Sequence, residues 1–227
     1  MRKQRVFVSG GAGVIGLELI PRLVAAGAKV FVGDLKQRPS SFPAEVLYRR
    51  GDLNELTANE LNEFDPELII HLAATFERST ETPGFWGENF RHNVELSHHL
   101  MTLARDCQSL CRVVFASSYL IYDPVLYQFE TPPAKPIRLI ETDPIRPRNL
   151  TGMAKLSHEM ELQFLSGFED CRFSTLAVRI FRGYGRNSRD VISRWVRALL
   201  AGNPITVYRP EGIFDYVYAA DRPEGLQ

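Results

Sequence analysis

Arg5-Val6-Phe7-Val8-Ser9-Gly10-Gly11-Ala12-Gly13-Val14-Ile15-Gly16 is the stretch on which the reading of the whole chain turns. Its apolar start makes a short strand, and helical apolar spacing follows over 14–26, ending at Gly27. Between the two, Gly10, Gly13 and Gly16 form a G-x-x-G-x-x-G pattern. Glycines in such a turn permit a tight bend and let bare backbone approach a diphosphate, which lies against the positive end of the helix dipole. Glycine triplets also mark ordinary turns. Here a second strand over 29–33 leads into Asp34, an acid where a dinucleotide site needs one. A carboxylate there accepts both hydroxyls of an adenosine ribose and repels a 2′-phosphate, so NAD is expected over NADP. Lys36 and Arg38 stand close enough to weaken that preference.

Working outward, strands are expected from residue 46, over 67–72 and over 112–116, with helices over 54–64 and 89–107. The 67–72 segment is apolar on both faces, as in an interior strand. Strands alternating with helices imply right-handed crossovers and a parallel sheet covered on both sides: an α/β, doubly wound fold. Six prolines between Asp123 and Arg148 then interrupt the pattern. A long loop over 123–149 is expected to cross the carboxyl edge of the sheet and cover a ligand. Beyond it come a helix over 151–166, a strand over 172–179 and a helix over 190–201, stopped by Gly202-Asn203-Pro204.

Composition narrows the function. Of 227 residues 44% are hydrophobic, and 27 basic side chains balance 27 acidic ones, leaving no net field to gather nucleic acid or anionic lipid. No apolar run reaches the roughly 18 residues of a membrane helix. Neither a nucleic-acid nor a membrane partner is expected. The basic start at 1–5 precedes an apolar stretch that Gly10, Gly11 and Gly13 break, so a cytoplasmic protein is expected rather than a secreted one. Cys107, Cys111 and Cys171 show no zinc-like spacing, which predicts no metal and reduced, largely buried thiols.

The chain resembles the extended short-chain dehydrogenase/reductase family, in its NAD-dependent nucleotide-sugar epimerase/dehydratase branch. The likeness runs from Arg5 to about Leu226. It is carried by the glycine motif, Gly51-Asp52-Leu53, His71-Leu72-Ala73-Ala74, Asn93-Val94, Phe115-Ala116-Ser117-Ser118 and Gly152-Met153-Ala154-Lys155. Phe181-Arg182-Gly183-Tyr184-Gly185 and Asp215-Tyr216-Val217-Tyr218-Ala219-Ala220-Asp221 complete it. The resemblance implies a Rossmann NAD-binding domain over 1–180 and a small, incomplete C-terminal substrate lobe over 181–227. The chain stops at Gln227 where the family continues, so the base-binding part of a nucleotide pocket is expected to be missing or supplied from elsewhere.

The resemblance also assigns residues. Gly10, Gly11, Ala12, Gly13, Val14, Ile15, Gly16 and Asp34 would hold the dinucleotide. Asp52 and Leu53 would meet the adenine, Leu72, Ala73 and Ala74 would line the cofactor, and Asn93 would face the fourth strand from its helix. His71 reads as a packed strand histidine. The family moves a proton with a tyrosine and holds the nicotinamide ribose with a lysine four residues on, both on one helix face. Lys155 matches the lysine, and Ser118 matches the hydroxyl that binds the reacting oxygen.

The match then fails at one position. Residue 151, where the tyrosine belongs, is Thr151, and no tyrosine in the chain has a lysine four residues later. A threonine hydroxyl lacks the accessible anion of a phenol and is a poor general base near neutral pH. Tyr119 and Tyr122 are nearby phenols, although Asp123-Pro124 argues against a strand long enough to put Tyr122 beside Ser118. An asparagine that binds diphosphate in the family is Arg182 here, and an arginine that clamps phosphate is Phe214. Tyr119-Leu120 stand where sugar 4,6-dehydratases carry two carboxylates, which disfavours dehydration. The leading expectation is an NAD-dependent nucleotide-sugar epimerase or related oxidoreductase, with Ser118, Thr151 and Lys155 catalytic and Ser118, Tyr119 and Arg182 meeting substrate. The alternative is a catalytically silent NAD-binding sensor or scaffold. The family often pairs two helices between subunits, so a homodimer is expected through Leu96, Leu100, Leu103, Leu156, Met160 and Phe164.

Overall fold

Six strands lie parallel in the order β3-β2-β1-β4-β5-β6. They are β1 (Arg5–Ser9), β2 (Lys29–Asp34), β3 (Leu47–Arg50), β4 (Leu68–His71), β5 (Arg112–Ser118) and β6 (Ser174–Ile180). Helices α1 (Val14–Ala25), α2 (Ala58–Phe64), α3 (Pro83–Asn89), α4 (Leu96–Asp106), α5 (Leu150–Ser166) and α6 (Val191–Leu200) connect or follow them. The order reverses between β1 and β4, and the crevice of a doubly wound sheet opens at such a point. This computed structural model describes residues 4–76, 81–131, 133–207 and 214–221. The basic start at 1–3 and the end of the family likeness near Leu226 lie outside the described residues.

Alternation along the strands builds two cores. Val6, Val8, Val32, Ile70 and Val114 face one way, onto Leu19 and Ile20 of α1. Phe7, Ile69, Val113 and Phe115 face the other, onto Leu61, Leu100, Met101 and Leu162. A strand buried on both faces has no polar side to show, which is why β4 reads as continuous apolar sequence.

Several boundaries differ from expectation. The helix expected over 89–107 begins earlier, at Pro83, because Thr82 caps α3 through Phe85 N and Pro83 suits the first turn. A π-helical turn, Phe90–Glu95, then separates α3 from α4. The helix expected over 54–64 divides into a 3-10 turn, Leu53–Glu55, and α2, whose start is fixed by a Thr57–Glu60 capping box. Leu96, Leu100 and Leu103, expected on a subunit face, are buried in this chain's own core. Of the three thiols only Cys107 is buried; Cys111 is exposed and Cys171 half-buried. Both lie in the loops that lead into β5 and β6, where Cys171 packs against the edge of the core. After β6 a separate two-stranded parallel sheet forms from β7 (Arg182–Tyr184) and β8 (Tyr216–Tyr218). Among the described residues no helix is long and apolar enough to cross a membrane, and no cluster of His, Cys, Asp and Glu could hold a metal.

Beneath the crevice lies a buried polar chain. Ser97 Oγ donates to Asn93 O at 2.6 Å, so it accepts from His71 Nε2 at 2.9 Å. His71 Nδ1 then carries the lone pair that accepts from Ser9 Oγ at 2.6 Å, and Ser9 Oγ receives Ala73 N at 3.4 Å. Burial first, then the neighbouring His158 and Lys155, hold the His71 pKa well below its ordinary 6.5. Burial likewise lowers that of His158, although Glu161 opposes it. Below pH 6.5 the unfolded chain binds protons that the folded chain refuses, so stability falls as pH falls from 7 to 5.5. Each histidine contributes a slope approaching about 1.4 kcal/mol per pH unit. Urea unfolding across that range is expected to show a shallower slope for His71→Gln, by one proton, than for the wild type.

Candidate active site

The turn after β1 is made of backbone pressed on backbone. Gly10 has φ +72°, and a Cβ there would lie 2.5 Å from the N and Cα atoms of Ala73. A Cβ on Gly16 would fall 2.1 Å from Gly11 O, so α1 can begin where it does only without that atom. Gly13 is the N-cap and no side chain caps α1. Uncapped N–H groups at the start of a 12-residue helix suit a diphosphate. Asp34 closes the far side of the turn. Its Oδ2 accepts Ala12 N at 2.8 Å and its Oδ1 accepts Lys36 N at 2.9 Å, leaving each oxygen a lone pair for a hydroxyl. Arg38 is turned away onto Pro43 O, whereas Lys36 Nζ lies 3.4 Å from Ala12 O. These residues fit NAD: bare backbone for the phosphates and an acceptor-only group for the ribose.

The other residues assigned to the dinucleotide lie along the same edge. Ala73 backs Gly10, with Leu72 and Ala74 on either side of it. Asn93, inside the π-helical turn, clamps the backbone of Thr75 with Oδ1 at 2.8 Å and Nδ2 at 2.9 Å, so it shapes the loop after β4. Leu53 is buried beneath Gly33, where a Cβ would come 2.4 Å from its Cδ2. Asp52 caps Asn54 N and pairs with Arg91 at 2.6 Å.

Ser118, Thr151 and Lys155 gather where β5 ends and α5 begins. Asn149 caps α5 through Gly152 N at 2.9 Å, and Glu81 accepts Leu150 N at 2.7 Å, which pins the first turn. Neither cap has a local signature strong enough to read from sequence, and Glu81 lies 69 residues from its partner. Ser118 Oγ accepts Leu120 N at 3.2 Å, and its hydrogen remains to donate. Thr151 Oγ1 is buried without a hydrogen-bond partner. Lys155 Nζ donates to Ala116 O at 2.7 Å and sits 4.6 Å from the Phe115 ring centroid. Tyr122 is spent elsewhere. Its hydroxyl accepts Arg179 Nη1 at 3.0 Å within a network in which Arg179 also pairs with Glu159 and Glu159 receives Ser117 Oγ.

The two substrate-side departures turn out to touch. The Arg182 guanidinium lies 3.9 Å from the Phe214 ring centroid and donates to the Tyr216 hydroxyl at 3.4 Å, near enough to the Tyr119 hydroxyl to interact with it electrostatically. Aromatic faces hold the Arg182 cation. Sequence reading found each change separately. Only the tertiary structure reveals that the two residues touch.

Burial lowers the Lys155 pKa from 10.5 to about 7. Between those values the unfolded chain carries a proton that the folded chain tends to release, so this group costs stability most at the acid end of the window. Lys155→Met is expected to raise the unfolding free energy at pH 7 by about 1–3 kcal/mol. It is also expected to flatten the pH dependence between 7 and 10 and to weaken NAD binding. Urea unfolding and calorimetric titration with NAD check the three effects.

Comparison with known proteins agrees with this geometry. The sequence profile of the NAD dependent epimerase/dehydratase family matches residues 6–226. UDP-glucose 4-epimerase of Mycolicibacterium smegmatis is 30% identical over 236 residues, covering 96% of this chain and 70% of the relative. dTDP-4-dehydro-6-deoxyglucose reductase of Escherichia coli is 25% identical over 242 residues, covering 97% of this chain and 70% of the relative. Among solved structures, MoeE5 in complex with UDP-glucuronic acid and NAD is 30% identical, with a TM-score of 0.79 over 98% of this chain and 70% of that one. The Thermus thermophilus UDP-glucose 4-epimerase complex with NAD is 27% identical, with a TM-score of 0.81 over 98% of this chain and 73% of that one. A profile matched from the first strand onward, over a crevice built for a dinucleotide, makes this protein an NAD-dependent enzyme of the epimerase/dehydratase family.

Proposed function

We propose that the protein is a nucleotide-sugar epimerase or closely related oxidoreductase working by transient hydride transfer, with Thr151 in place of the usual tyrosine. The carrying observation is an edge of unsatisfied groups. A buried ammonium with one carbonyl acceptor, a buried hydroxyl with none and a serine hydrogen free to donate meet where β5 gives way to α5. NAD, when bound, supplies a hydride acceptor that can return what it takes. Lys155 would hold its nicotinamide ribose, and Gly10, Gly13, Gly16 and Asp34 the rest. Ser118 and Thr151 orient the sugar oxygen. Arg182, held between Phe214 and Tyr216, offers its charge to the substrate's diphosphate, which arginine grips better than asparagine does. The named ligands of the relatives, UDP-glucose and UDP-glucuronic acid, support this substrate class. In this reading 1–180 bind the cofactor, the 123–149 loop covers the substrate, and 181–227 belong to a substrate lobe.

Purified protein with NAD and a panel of UDP- and dTDP-sugars is expected to give epimerised product. Thr151→Tyr is expected to raise the rate, because it returns a phenol to the helix face that carries Lys155. NAD binding without turnover, unchanged by Thr151→Tyr, would instead favour the silent sensor or scaffold, the reading that the buried, partnerless Thr151 hydroxyl also admits.

The homodimer keeps a narrower surface than expected. Met160 and Phe164 on α5 are 50% and 70% exposed, with Trp86 and Phe90 exposed on the neighbouring α3 and π-helical turn. Large apolar side chains at helical spacing suit burial against a second copy. Light scattering is expected to give twice the chain mass for the wild type and the single mass for Phe164→Glu. A monomeric wild type at micromolar concentration sinks this assembly.

A further inference from the structure

We infer that Tyr119 is the proton-transfer residue of this site, with Arg182 holding its phenolate. The inference rests on the nucleotide-sugar reading above and supplies the phenol that position 151 lacks. The other described tyrosines are placed differently. Tyr48 donates to Lys36 O beside β3, and Tyr122 is held by Arg179. Tyr184 packs on Tyr218 in the two-stranded sheet, and Tyr216 receives Arg182 from β8. Tyr127 lies with its ring edge against Tyr119 at 5.3 Å, and its buried, partnerless hydroxyl has a pKa raised by burial, which makes it the poorer base.

Tyr119 alone follows directly on Ser118. It opens the 3-10 turn Tyr119–Ile121, and that turn lies against the start of α5. Leu120 O accepts Arg148 N at 3.0 Å and approaches Gly152 so closely that a Cβ there would sit 2.5 Å away. The chain carrying Tyr119 is therefore fastened to the helical turn carrying Thr151. The Tyr119 ring is also held, stacked on Phe181 with centroids 5.4 Å apart and planes 12° apart. Phe181 is followed directly by Arg182, whose guanidinium is within electrostatic reach of the Tyr119 hydroxyl and forms no ion pair with a carboxylate among the described residues. A cation held on aromatic faces with its charge uncancelled can carry a phenolate by a charge-assisted hydrogen bond.

The chemistry balances with one proton moved each way. The substrate O–H bond breaks and its proton passes to the phenolate oxygen of Tyr119. The C–O bond becomes C=O as the hydride on that carbon passes to the nicotinamide of NAD. On return of the hydride, Tyr119 gives the proton back to the same oxygen, now on the inverted carbon. Ser118 donates to that oxygen throughout, and Thr151 serves as a second hydrogen-bonding hydroxyl.

Tyr119→Phe keeps the stack on Phe181 and removes only the hydroxyl. On the protein's best nucleotide-sugar substrate it is expected to lower kcat by about 10²–10⁴-fold. The calorimetric Kd for the nucleotide sugar and for NAD, and the melting temperature, should stay at wild-type values. Thr151→Tyr combined with Tyr119→Phe should recover the turnover of Thr151→Tyr alone, because a phenol restored at 151 makes the one at 119 dispensable. A wild type that turns over substrate and a Tyr119→Phe that matches its kcat would overturn the inference while leaving the nucleotide-sugar reading intact. So would a loss confined to Kd. A wild type that binds NAD yet converts no sugar overturns the reading itself, and the inference with it.

Discussion

Everything in this molecule is arranged around one approach of backbone to backbone, where the turn at Gly10 lies on the backbone of Ala73. That contact joins the carboxyl ends of β1 and β4, the two strands between which the sheet reverses order. A side chain at Gly10 would part them, and one at Gly16 would push α1 off its own turn. The contact also explains the polar chain below it. With Ser9 and His71 as cross-strand partners at the switch point, their side chains are buried together and must satisfy each other, and Ser97 completes the set.

The catalytic edge is organised by cations held where anions or lone pairs are expected to arrive. Lys155 lies beneath the crevice with a single carbonyl for a partner, at a cost in stability that a purely structural residue would not impose. Arg182 is held by the Phe214 and Tyr216 rings and by the Tyr216 hydroxyl. Lys155 reaches Ala116 near the end of β5, and Arg182 follows the end of β6, the strand paired with β5. The aromatic residues that follow β5 and β6, Tyr119 and Phe181, stack on each other and tie the two strand ends together.

Much of this was legible in the order of residues. The glycine turn, Asp34, the two-sided apolar strands and the helix starting near Thr151 are local patterns whose periods and turn chemistry act within a few residues. The π-helical turn was not legible. Phe90–Glu95 has the apolar spacing of an ordinary helix, and the extra residue in the turn is imposed by Asn93 reaching for Thr75 across the loop after β4. Leu96, Leu100 and Leu103 likewise form a stripe equally suited to a partner helix or to the sheet, and the sheet took them.

What the chain order determined by itself is the cofactor half of the site, because a dinucleotide is gripped by backbone at a turn whose residues are neighbours. It also revealed the missing phenol at position 151. What only the tertiary structure decided is which side chains meet around the ends of β5 and β6. Arg182 and Phe214 are separated by 31 intervening residues yet are in contact, and Tyr119 becomes Arg182's neighbour only once β5 and β6 lie side by side. Side-chain chemistry between distant segments follows from strand order and close packing, and no local period in the sequence encodes it.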